Sequence, residues 1–97
     1  MRLLPALLAA GSLAAPLAAQ TLTAEQQSGF NAIYPILAEV SPQDGDVMAS
    51  CVVAVAEPGE VAAMAAAGGP SAELGALVSQ VLARPEAIGC IQATLGR

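Results

Sequence analysis

The stretch Ser71–Cys90, SAELGALVSQVLARPEAIGC, decides the fold class of this chain. Ser71 offers a capping hydroxyl, Glu73 places negative charge in the first turn, and Leu74, Leu77, Val78, Val81 and Leu82 recur at three- and four-residue spacing. That is the strongest amphipathic pattern in the sequence. Arg84 and Pro85 break it, because proline disfavours helical backbone in the residue before it. From about Pro85 to Leu95 a further helix offers Ile88, Ile91 and Leu95, with Cys90 on the flank of that stripe. Helical periodicity on both sides of a proline, with no strand alternation, predicts an all-α domain.

Toward the N-terminus the punctuation is equally regular. Gly68, Gly69 and Pro70 stop a short alanine-rich helix that carries Val61 and Met64, and Glu57, Pro58 and Gly59 end the segment before it. In that earlier segment Val47, Met48, Cys51, Val52 and Val55 form a one-sided stripe. The run CVVAV has β-branched character, but the stripe extends on both sides of it at helical spacing, so a helix is expected. Its start is expected at Ser41–Pro42, a capping hydroxyl before a residue suited to the first helical position. The first helix opens at Thr23, where Thr23 and Gln26 have the spacing of a capping box, and its apolar positions are Phe30, Ile33, Leu37 and Val40. Pro35 is expected to kink or divide that helix near Tyr34. The predicted architecture is four or five short helices around a core of Leu, Val, Ile and Ala.

The N-terminal residues set the compartment. Residues 1–19, MRLLPALLAAGSLAAPLAA, read as a signal peptide: Arg2 supplies the positive region, the run from Leu3 to Leu17 is apolar, and small Ala18 and Ala19 precede Gln20. Cleavage is expected after Ala19, with a cut after Gln20 as the neighbouring alternative. Pro5, Gly11, Ser12 and Pro16 interrupt a run already shorter than a membrane-spanning helix, so no stable anchor is expected after cleavage. Residues 20–97 then form a single small domain, near the size limit at which a core alone suffices. Cys51 and Cys90 are the two cysteines, and in an oxidising periplasmic or secreted setting they are expected to pair. On the chain-entropy model that bond stabilises the fold by about 4 kcal/mol.

The residue types exclude much chemistry. The expected mature chain holds Arg84 and Arg97 against eight carboxylates, Glu25, Glu39, Asp44, Asp46, Glu57, Glu60, Glu73 and Glu86, a formal charge of −6. Phosphate binding needs clustered Lys or Arg, so nucleic acid is not an expected partner. The chain has no His and no Lys, which removes the usual base for a Ser or Cys nucleophile. No catalytic, cofactor-binding or metal-binding residues are assigned. Asp44, Asp46 and, eleven positions on, Glu57 have a trace of a calcium-loop spacing, but Met48 and Val52 stand where oxygen ligands belong. The cysteines lack the Cys-x-x-Cys spacing of a redox pair, and a structural disulfide is the expected role. Met48 and Met64 are read as core filler.

Surface remains. Alanine-rich helices can leave a shallow apolar groove, and the stretch Ala62–Gly69, AAMAAAGG, is the candidate for a poorly filled region, although a short helix packed tightly because its residues are small is the favoured reading of it. The expectation is a non-enzymatic exported helical domain, monomeric or a weak homodimer, acting on a protein partner or a small apolar ligand. A second reading is a periplasmic stress chaperone, similar in type to the small acid-stress chaperones of enteric bacteria, which are also exported, helical and held by one disulfide. Acid unfolding by positive self-repulsion has little to act on here, since two arginines and the amino terminus are the only cations expected. A third reading is an enzyme or redox accessory, for which the usual residue types are missing, and a fourth is a hydrophobic-ligand carrier, which would need an internal cavity.

Overall fold

The structure, a computed structural model, describes residues 22–96. The expected signal peptide at residues 1–19, with Gln20, Thr21 and Arg97, lies outside the described residues. Within them are five helices and no strand: α1 (Ala24–Val40), α2 (Gly45–Val55), α3 (Pro58–Ala66), α4 (Ala72–Leu82) and α5 (Pro85–Leu95).

The helix α1 begins as its sequence directs. Thr23 Oγ1 accepts from the Gln26 N–H at 3.0 Å, and the Thr23 N–H donates to Gln26 Oε1 at 2.9 Å, closing the capping box. It buries Gly29, Ile33 and Leu37 and packs chiefly on α2 and α3. Pro35 does not divide it. The proline and Asn31, whose carbonyl loses its partner, are both exposed, so water can satisfy that carbonyl while Ile33 and Leu37 on the opposite side stay anchored. The helix therefore runs uninterrupted to Val40.

The start of α2 differs from the sequence expectation. Ser41 caps the end of α1, its N–H donating to the Leu37 carbonyl, and Pro42 lies in a turn; α2 begins three residues later, at Gly45. The reason is tertiary. An added Cβ at Gly45 would lie 2.9 Å from the Ala38 Cα and 3.0 Å from its nitrogen, so α2 enters where glycine allows it to pass against the α1 backbone. The CVVAV run is helical, and Ala49, Cys51, Val52 and Val53 are all buried. Such a broad buried arc is what a central helix requires, and it explains the β-branched composition without a sheet.

The alanine-rich helix α3 starts with Pro58 in its first turn and buries Val61 and Met64. Gly68 (φ 76°) and Gly69 (φ 153°) then turn the chain through backbone angles that residues with a Cβ rarely adopt. Ser71 Oγ accepts from the Leu74 N–H at 3.1 Å and opens α4, which buries Leu74, Val78 and Val81. The turn at Ala83–Arg84 leads directly into Pro85 at the start of α5, which Gly96 closes in the left-handed conformation.

The central core cluster consists of Ile33, Leu37, Ala49, Val52, Val53, Met64, Leu74, Val78 and Val81, all from α1 to α4, and Cys51, Val61 and Ala87 are buried beside it. The disulfide Cys51–Cys90 joins α2 to α5 across a sequence separation of 39, with Cα atoms 5.8 Å apart. It ties α5 to α2 through Cys51, which is 1% exposed. The α5 stripe is also less buried than its spacing predicts. The one fully buried residue of the helix is Ala87, outside that stripe, while Ile91 and Leu95 are half-buried and Ile88 is 45% exposed.

Candidate binding surface

The acidic residues singled out in the sequence do not converge. Asp44 and Asp46 sit at the start of α2, where the Asp46 carboxylate accepts from the Val47 N–H at 2.8 Å. Glu57 follows the far end of the same helix, which spans about 16 Å at 1.5 Å per residue, so these carboxylates cannot share a cation. Among the described residues no group of three or more His, Cys, Asp or Glu side chains is placed to hold a metal ion. Glu73 and Glu86 occupy the first turns of α4 and α5, where a negative charge complements the helix dipole. Met64 is fully buried and Met48 packs half-buried against the core.

One charged contact escaped the sequence reading. Arg84 Nη1 donates to Glu60 Oε1 at 2.8 Å and Arg84 Nη2 to Glu60 Oε2 at 2.5 Å, a two-point ion pair between α3 and the α4–α5 junction. The Arg84 guanidinium, helped by the Glu57 N–H donating to Oε1, holds the Glu60 carboxyl far below its usual range, at about 2. The same hydrogen bonds push the Arg84 guanidinium up. Arg84 is the one basic side chain among the described residues, and its guanidinium is engaged in this pair.

The apolar surface gathers around α3. Between α3 and α4 lies an open cleft of about 290 Å³, walled by Ala63, Ala66 and Ala67 and by Leu74 and Leu77, with Glu73 at its rim. On the other side of the same helix a cleft of about 260 Å³ runs between Ala65, Gly68 and Gly69 and the α1 residues Asn31, Ala32 and Pro35. Small residues line the α3 side of both, Ala63, Ala66 and Ala67 in the first and Ala65 with Gly68 and Gly69 in the second. An alanine side chain ends at Cβ, so the outward half of α3 leaves the bulk of its neighbours unopposed, while Val61 and Met64 hold its inner half to the core. The Ala62–Gly69 stretch chosen from sequence therefore does flank both depressions.

Other exposed apolar groups are scattered. Tyr34 is 40% exposed and stacks on Phe30 with ring centroids 5.7 Å apart, and Val40 stands alone at the end of α1. No single helix among the described residues is long and apolar enough to cross a membrane; α4 and α5 together have the length and composition, but the chain bends by 77° between them. Compared with protein-family models, with curated proteins and with solved structures, the chain matches none.

Proposed function

We propose that this chain is an exported, non-enzymatic binding domain that presents the two clefts flanking α3 to a protein partner. The single observation that carries this reading is the pair of depressions sharing one alanine-rich helix. Their openness favours a partner's side chains over an enclosed small ligand, which a hydrophobic-ligand carrier would surround on most sides. The stress-chaperone reading gains no support, since Arg84 is the only described residue left to repel anything once the carboxylates are protonated. Export accords with the Cys51–Cys90 bond, which an oxidising compartment would form and keep.

Native mass spectrometry of the protein isolated from its own host, followed by the denatured mass of the same sample, tests the reading. A partner mass that disappears on denaturation is expected. Ala66→Arg should abolish it by filling the α3–α4 cleft, with little change in thermal midpoint because Ala66 is exposed. Asn31→Arg gives the same test for the cleft on the α1 side. A retained complex in both variants, or an unaccompanied monomer that forms no crosslinks in intact cells, would overturn the proposal.

A further inference from the structure

The C-terminal helix α5 stands apart from the rest of the fold. Every member of the central buried cluster around Ile33 and Val52 belongs to α1 to α4, and so do the half-buried apolar residues packed against it, apart from Leu22 and Ala56 at their margins. None lies in α5. That helix buries only Ala87 completely, packs on α2 and more sparsely on α4, and carries an exposed Ile88. It is nevertheless bonded to α2, since Cys90 on its half-buried face reaches Cys51, which is enclosed to within 1% of full burial.

We infer that the Cys51–Cys90 disulfide is a redox latch for α5 alone: reducing it releases that helix about Pro85 and uncovers the Cys51 face of α2, while the α1–α4 core stays folded. The position of the hinge follows from the ion pair. Arg84, the residue before Pro85, is clamped to Glu60 on α3, so the chain is held up to that point and free to swing beyond it. Of its eleven residues α5 buries one completely, Ala87, and holds Cys90, Ile91, Thr94 and Leu95 half-buried, against three fully buried residues in α4 and five in α2.

The chemistry requires a dithiol reductant. One of its thiolates attacks Cys90 Sγ, on the less enclosed side of the bond; the S–S bond breaks and Cys51 leaves as a thiolate that takes up a proton. The second thiolate of the reagent then attacks the mixed disulfide, releasing Cys90, which is protonated in turn. The protein gains two electrons and two protons, and the reagent closes to a cyclic disulfide.

Hydrogen exchange with mass spectrometry on the native protein, before and after dithiothreitol, reads the result, with alkylation by iodoacetamide reporting that both thiols are free. On reduction, residues 86–95 should exchange at least about a hundredfold faster than α1 to α4, which remain protected although the lost cross-link speeds their exchange. Cys51 should then alkylate as fast as Cys90. Loss of protection in all five helices, unchanged protection in α5, or a bond reduced only when the whole domain unfolds would each overturn the inference. The double variant Cys51→Ser/Cys90→Ser should reproduce the reduced pattern without reagent; failure of that variant to fold would count equally against it.

Discussion

Glu60 and Arg84, separated by 24 positions, meet in a two-point ion pair that ties the first turn of α3 to the residue linking α4 and α5. The Glu60 carboxyl titrates near 2 in the folded protein, below the value of about 4.3 for an unperturbed Glu. A depressed folded value means that unfolding takes up a proton between these limits. The contribution of the pair is therefore whole above about pH 4.3 and lost as the pH falls through about 2. Urea midpoints measured from pH 1.5 to 6 for the wild type and Glu60→Gln should differ at the top of the range and converge at the bottom. A constant gap would mean that ionisation of Glu60 is not what the substitution removed.

Two glycines on the α1–α2 side of the core should respond oppositely to alanine. At Gly29 an added Cβ would meet the Met64 Cβ and a Val53 methyl at 3.5 Å, ordinary contact distances, and the residue lies in the middle of α1. Gly29→Ala should stabilise by about 0.5–1 kcal/mol through helix propensity. At Gly45 the obstruction is the Ala38 backbone at 2.9 Å, which cannot turn aside. Gly45→Ala should destabilise by about 1–3 kcal/mol, read as a fall in the chemical denaturation midpoint.

Leu37 and Val40 continue the same sequence stripe but not the same environment. Leu37 is 1% exposed and Val40 72%. Thermal or urea unfolding should place Leu37→Ala about 2–5 kcal/mol below the wild type and Val40→Ala within about 0.5 kcal/mol of it. Equal losses at the two positions would contradict the observed end of the α1 interface.

Gln26 serves one end of each of two helices, the start of α1 and the end of α2. Its Oε1 accepts from the Thr23 N–H, and its Nε2 donates to the Val53 carbonyl at 3.2 Å, one of the last carbonyls of α2. The Glu57 N–H that a longer helix would supply to that carbonyl is instead donated to Glu60. Gln26→Glu keeps an acceptor for Thr23 but presents a carboxylate to the Val53 carbonyl, and should destabilise by about 1–3 kcal/mol at neutral pH. Gln26→Ala loses both bonds. A Glu variant as stable as the wild type would assign the whole role of Gln26 to the cap.

Much of the secondary structure was legible because it is signalled locally. Thr23–Gln26, Ser71, Pro85 and the Gly68–Gly69 pair mark helix boundaries through backbone chemistry that needs no distant partner, and the structure places all of them where the sequence indicates. The Ser41–Pro42 signal was real chemistry overruled by packing, because the close pass of Gly45 against Ala38 decides where α2 can begin. Pro35 illustrates the same competition, with buried Ile33 and Leu37 keeping α1 whole. The alanine run at Ala62–Gly69 indicated sparse filling, yet the walls opposite it, Leu77 on one side and Pro35 on the other, are set by neighbouring helices.

The sequence by itself determined the helical class, most helix limits, the pairing of its two cysteines and the lack of a histidine or lysine for catalysis, since each depends on residue identity and short spacing. Only the tertiary structure decided that Ile88 and Val40 would stay exposed, that Glu60 would find Arg84, and that α5 would lie outside the core it is bonded to. Periodicity states which face of a helix is apolar; whether that face is covered depends on where the other helices cross and end, which no local spacing encodes.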